Sequence, residues 1–161
     1  VGFLSEDRKR EGLAENLSLA ENLTLSKLPW LVLPARRRAA AQRFIDRLGI
    51  RTSGPDQPVR DLSGGNQQKV ARAPLLHHDV DVALLDEPTR GIDVKSRAEV
   101  YAMIDDLARS GKAVLVVSSQ FSELLAVCDR IAVMRRGRLG SATPVAELDE
   151  HRLALDAAGA L

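Results

Sequence analysis

The chain has 161 residues, 45% of them apolar and 28% charged, the composition of a folded globular protein rather than a disordered or fibrous one. Lysine plus arginine (23) nearly cancels aspartate plus glutamate (22), so the net charge of +1 gives no overall attraction to nucleic acid. One cysteine excludes an internal disulfide, and no apolar run approaches the ~20 residues that a membrane-spanning helix requires.

Val1 to Leu4 reads as a short buried strand, and SEDRKREG behind it carries too many ionic groups to continue one. That stretch is either a solvated turn or a functional loop. The chain opens on Val1 rather than Met, inside the strand, which suggests a fragment. From Leu13 to Pro34, short helical patterns such as AENLSLAENLTL mix with a Pro-bounded apolar patch around Trp30. Ala41, Phe44, Ile45 and Leu48 then fall at i, i+3, i+4 and i+7, with Arg36, Arg37, Arg38, Arg43 and Arg47 available to the opposite face. This spacing predicts an amphipathic helix over Ala35 to Leu48, ended by Gly49. The arginines have no interleaved aromatics and read as a wet face, not a nucleic-acid surface.

SGPDQP, Ser53 to Pro58, is a loop by composition, and Ser63 stands as N-cap to a helix beginning at Gly64 and Gly65. Pro74 lies well inside that helix, where it deletes a backbone hydrogen bond at a cost of roughly 3 kcal/mol and predicts a kink or an early end. Val82 to Leu85 has no polar alternation, as expected of a central parallel strand. Asp93 caps a helix from Val94 to Arg109, with Val94, Ala98, Tyr101, Ile104 and Ala108 on its apolar face and Gly111 closing it. Ala113 to Val117 is a second such strand, Phe121 to Val127 a helix, and Ile131 to Met134 a third strand. That alternation predicts an α/β fold with a parallel sheet. RRGR is a turn into a short strand around Leu139, and Pro144 sits at a first-turn position of a helical tail. Cys128, among apolar neighbours, reads as a buried structural thiol, and His77, His78 and His151 as surface residues.

Two motifs carry chemistry. In VALLDEPTRGID the apolar strand delivers Asp86 and Glu87 to its carboxyl end, where ligands bind in open α/β sheets. The first carboxylate suits Mg²⁺, and the second can orient or deprotonate a water attacking a γ-phosphate. In LSGGNQQ, Ser63, Gly64 and Gly65 offer a hydroxyl, two backbones without Cβ and the positive end of a helix, all suited to an anion. The two motifs together point to nucleotide triphosphate chemistry. No GxxxxGKS/T loop accompanies them: Gly49 and Gly54 are followed by Pro55 and Asp56, and Gly111 and Lys112 by Ala113.

LSGGNQQKV, LLDEPTRGID and VSSQFSELLAVCDRIAVMRRGRL resemble the ATP-hydrolysing domain of ABC transporters, and SEDRKREGL with ENLTL is similar to the second ATPase half of simple-sugar importers. The resemblance covers Val1 to about Gly140. It implies an incomplete P-loop NTPase-like ABC ATPase domain, with residues of about 8–76 as helical subdomain, 1–7 and 77–142 as catalytic core, and 143–161 as a helical tail. Position by position, it implies that Ser63, Gly64, Gly65 and Gln67 belong to a signature loop contacting ATP held by an opposite ATPase half. Asp86 becomes the Mg²⁺-associated aspartate, Glu87 the catalytic base and Asp93 a member of the loop crossing the dimer interface. Glu6 stands where most of the family has the glutamine that senses γ-phosphate, and Ser119 where a switch histidine is expected. ATP and Mg²⁺ are the implied cofactors. The implied partners are a second ATPase half, membrane permease subunits and, indirectly, a sugar-binding protein, with no nucleic acid. The implied location is peripheral, on the cytoplasmic face of the plasma membrane.

In the family the missing phosphate loop lies upstream of the glutamine position, so truncation explains its absence better than divergence does. Two other readings stay open: a non-catalytic remnant that only completes a partner's site, and an ABC ATPase of DNA repair or translation. The second calls for coiled coil or basic tracts that the sequence lacks.

Overall fold

A computed structural model describes residues 1–7, 11–25, 30, 33–77 and 80–160, with backbone alone at 74–77. Three parallel strands organise it: β1 (Gly2–Leu4), β2 (Val82–Asp86) and β3 (Ala113–Val117), in the order β1-β2-β3. Phe3 pairs in register with Leu84 and Leu84 with Leu115, so the apolar run of β2 forms the central strand, as its lack of polar alternation predicts.

Between β1 and β2 the chain builds a helical layer. The helix α1 (Leu19–Thr24) starts at a capping box, in which Ser18 Oγ accepts from Glu21 N and Glu21 Oε2 accepts from Ser18 N. Asn22, buried, donates to Ala14 and Ser18 carbonyls and accepts from Ala14 N, which ties the preceding turn to the helix. The next helix, α2 (Pro34–Leu48), has Pro34 in its first turn and Gly49 in the left-handed conformation at its end. It buries Ala41 and Ile45 while Arg36, Arg38, Arg43 and Arg47 stay exposed, as the periodicity indicates. Most of the apolar patch around Trp30 lies outside the described residues, as does His78. The helix α3 (Gly64–His77) runs on past Pro74, so the proline does not end it early.

The helix α4 (Val94–Arg109) connects β2 to β3, and its buried face differs from the expected one. Val100, Ile104 and Leu107 are buried, whereas Val94, Ala98 and Ala108 are exposed. The i, i+4, i+7 row that meets β3 is therefore rotated from the predicted stripe, with Ile104 common to both. One contiguous cluster joins the layers, from Leu4, Ala83 and Leu85 of the sheet to Leu19 and Leu23 of α1, Ile45 of α2 and Val70 of α3.

After β3 comes α5 (Phe121–Val127), followed by four two-residue strands: β4 (Arg130–Ile131), β5 (Met134–Arg135), β6 (Arg138–Leu139) and β7 (Thr143–Pro144). Ile131 to Met134 is thus no third consecutive parallel strand. It divides, β4 pairing antiparallel with β7 and β5 with β6, because the run is pulled into a hairpin around Arg136 and Gly137, both at positive φ. Pro144 pairs with Arg130 and is also the N-cap of a 3₁₀ turn, Val145–Glu147, so the tail is helical as expected but Pro144 stands just before its first turn. The last helix, α6 (Glu150–Ala158), is capped by Asp149 and packs on α5, burying Leu153.

Side-chain alternation gives the sheet two unlike faces. Leu4, Ala83 and Leu85 point into the core, while on the opposite face Phe3 is 61% exposed, Leu115 58% and Val117 55%. Parallel sheets are ordinarily covered on both sides. Asp86 belongs to the bare face, two residues beyond Leu84.

Candidate functional site

Where β2 ends, the backbone turns sharply. Glu87 has a φ of 45°, a left-handed conformation that costs on the order of 1–3 kcal/mol for a non-glycine residue and must be held by its surroundings. Its N–H donates to Val117 O (2.8 Å), its carbonyl accepts from Arg90 N (3.1 Å), and its carboxylate Oε1 accepts from Ser119 N (2.7 Å). Pro88 and Thr89, both buried, fix the turn that follows. The residue at the expected switch position thus meets Glu87 through its backbone amide, a short charge-assisted bond, and its side chain has no part in that contact.

Glu6, just beyond β1, forms an ion pair with Arg90. Glu6, Arg90 and Glu87 border a cavity of about 30 Å³ that Gln68 and Arg72 of α3 also line. Sequence reasoning singled out Glu6 and Glu87 but not Arg90 or Arg72. The i, i+4 spacing of Gln68 and Arg72 is a helical signal that two side chains share a face. Nothing local in the sequence links Glu6 to Arg90.

The amino end of α3 lies elsewhere. Ser63, Gly64 and Gly65 are exposed, and the helix rise puts them about 4.5–13.5 Å along the axis from Gln68 and Arg72. Ser63 O accepts the first helical bond from Gln67 N (2.9 Å), and its hydroxyl accepts from Asn66 Nδ2 (3.0 Å). A Cβ built on Gly64 or Gly65 would meet nothing within 4 Å. Gln67 turns inward, buried, with Nε2 donating to Val59 O (3.1 Å). The candidates therefore form two groups: Glu6, Asp86, Glu87 and Ser119 at the strand exits, and Ser63, Gly64 and Gly65 on an open helix terminus.

Asp93 caps α4, accepting from Ser96 N (3.0 Å) and Ser96 Oγ (2.7 Å), and these bonds hold its carboxyl below the usual aspartate value. Cys128 is half-buried, and burial first, then the charges of Asp129 and Glu123, push its thiol up, away from the reactive thiolate. Gly49 closes α2 and Gly54 lies in the following loop, so that glycine pair flanks no helix start. Among the described residues no helix is long and apolar enough to cross a membrane.

A family profile described as ABC transporter matches residues 1–90. The chain belongs to the ABC transporter family. It is 46% identical over 94% of its length to the ribose import ATP-binding protein RbsA 2 of Rhizobium meliloti, covering 30% of that protein. It is 47% identical over 95% of its length to the arabinose import ATP-binding protein AraG 2 of Burkholderia thailandensis, again covering 30%. The ribose import ATP-binding protein RbsA 3 of Rubrobacter xylanophilus matches 99% of the chain at 43% identity, with 33% of its own length covered. The chain thus spans about a third of the length of these curated relatives. In three dimensions it is similar to the ATP-binding cassette MJ0796, solved as a post-hydrolysis dimer bound to ADP and Pi, with a TM-score of 0.73 at 24% identity over 89% of this chain and 62% of that one. The fold is that of an incomplete ABC ATPase cassette, in which the parallel sheet and helical layer belong together.

Proposed function

We propose that the chain is part of the ATP-hydrolysing component of an ABC-type sugar importer, with Glu87 as catalytic base and Asp86 as the carboxylate on the Mg²⁺ side. The observation that carries this reading is the hold on Glu87. A carboxylate fixed at one oxygen by a backbone amide at the carboxyl end of the central strand leaves its other oxygen for a water. Ser63, Gly64 and Gly65 offer their open helix terminus to the phosphates of ATP bound to an opposite ATPase half, and the space over both glycines fits a close phosphate approach. In this reading Asp93 belongs to the loop that crosses the interface with that half. Mg²⁺, which neutralises phosphate oxygens during transfer, takes one or two carboxylates together with substrate phosphates, and Asp86 suits that donor set. No group of three or more His, Cys, Asp or Glu converges among the described residues, so the phosphates are needed to complete it.

In this reading residues of about 8–76 are the helical subdomain, 1–7 and 77–142 the catalytic core, and 143–161 the tail. The assembly sits peripherally on the cytoplasmic face of the membrane, where permease subunits receive sugar from a binding protein. The bare sheet face supports an arrangement in which further cassette elements cover it.

A second reading, a module that completes a partner's ATP site without hydrolysing, is favoured by the engagement of Glu6 with Arg90, which occupies the position expected to sense γ-phosphate. Two measurements separate them. Alone, the chain is expected to show no ATP turnover at neutral pH, because it has no lysine-bearing phosphate loop; steady turnover abolished by Glu87→Gln would overturn that. If the upstream reading frame encodes GxxxxGKS/T after a strand within ~100 residues, the extended protein is expected to hydrolyse ATP and to lose about 10²-fold or more with Glu87→Gln. Binding of ATP without turnover in the extended protein would install the second reading instead.

A further inference from the structure

Of the seven residues of α5, the one that is fully buried is also its only charged one. Glu123 is 1% exposed, and a buried carboxylate is costly unless hydrogen bonds compensate it. Its Oε2 accepts from the Ser118 hydroxyl at 2.5 Å. Ser118 Oγ in turn accepts from Gln120 N (3.1 Å), which closes the three-residue loop between β3 and α5. The middle residue of that loop is Ser119, whose N–H is fixed on Glu87 Oε1 at 2.7 Å. The chain of contacts therefore runs from a buried acid, through one hydroxyl, to the orientation of the amide that holds Glu87.

Among the described residues the other oxygen of Glu123, Oε1, has no hydrogen-bond partner. From α4, Tyr101 feels its charge and Arg97 lies nearby; from beyond α5, Cys128 and Asp129 face the same region. Glu87 shares the lining of the small cavity with Arg90, Glu6 and Arg72. At a position where a histidine side chain is expected, the loop presents a backbone donor, and a backbone donor can be aimed only by fixing the loop.

We infer that Ser118 and Glu123 are positioning residues for Glu87, acting through the Ser119 amide. Neither touches the reacting atoms. The inference rests on the reading of Glu87 as the base for its meaning, but its test does not depend on that reading, since it needs neither ATP nor turnover.

The test uses the full chain labelled with ¹⁵N and reads the Ser119 amide by NMR. In the wild type that proton is expected downfield, as for a bond to a charged acceptor, and Glu87→Gln moves it upfield, which identifies the acceptor. Ser118→Ala is expected to move the Ser119 resonance in the same direction and to raise its exchange with solvent about tenfold or more. Ser118→Thr, which keeps the hydroxyl, restores both. Glu123→Gln, which keeps an acceptor without the charge, is expected to give an intermediate shift. Two outcomes overturn the inference: a Ser119 amide indifferent to Glu87→Gln, or one unmoved in Ser118→Ala although the Gln120 amide shows that its bond is lost. Should Glu123→Gln fail to fold, the serine pair of variants decides alone.

Discussion

Gly64 and Gly65 are two glycines in the first turn of a helix, where alanine is favoured by roughly 0.5–1 kcal/mol. Neither has a positive φ, and neither is crowded by a neighbour. Among the described residues no neighbour demands glycine at either position, which agrees with the close phosphate approach proposed above. Gly65→Ala is accordingly expected to stabilise the chain by about 0.5–1 kcal/mol in urea unfolding; a loss of stability would show that the glycine serves the fold instead. The acids at the exit of β2 were legible in the sequence because an apolar run and a Pro-Thr turn fix where they emerge. What could not be read was how Glu87 is held. Its partner is a backbone amide of Ser119, and backbone donors leave no mark on residue type. The pairing of Glu6 with Arg90 joins residues distant in sequence and becomes visible only when β1 and β2 lie side by side.

At the scale of single elements, α1 shows how much depends on a cap. With six residues it is too short to persist on helix propensity, and its start is set by the reciprocal bonds of Ser18 and Glu21. Glu21 is held below the usual glutamate value, first by the Ser18 side chain, then by the Ser18 backbone, with Arg37 of α2 adding attraction. A depressed folded-state pKa contributes stability above the unfolded value, and that contribution disappears as the pH falls through the folded one. Ser18→Ala is expected to cost about 1 kcal/mol at neutral pH. That cost shrinks once acid protonates Glu21 in the wild type as well, so urea melts of both proteins should converge below about pH 4. A gap that widens on acidification would sink the account. Helices α2 and α5 were legible because both have clear limits in the sequence, while the buried face of α4 and the split of Ile131 to Met134 were not. In those cases tertiary partners decide: β3 selects the row on α4, and the turn at Arg136 and Gly137 takes the end of the apolar run for a hairpin.

On the scale of the whole molecule, the sheet poses an unsolved packing problem. Phe3, Leu84 and Leu115 lie in one register row across all three strands, and Val117 extends the same face. One face of the sheet is packed against helices, and this one is largely open to water. Apolar patches of that kind favour association, and the edges of β1 and β3, unpaired among the described residues, add backbone donors and acceptors that another chain can satisfy. The net charge of +1 supplies almost no repulsion to oppose it. The isolated chain is therefore expected to self-associate, its weight-average mass in sedimentation equilibrium rising with concentration. Leu115→Lys with Val117→Lys puts two cations on the open face without touching the core row of Val114 and Val116, and is expected to return the chain to a monomer with unchanged helical signal. A wild-type chain that stays monomeric at high concentration would mean that the face is tolerated by water, and the case for further elements packing there would lose its physical basis. If association persists in the double variant, the edges rather than the face drive it, and a charged substitution at the rim of β1 becomes the discriminating change.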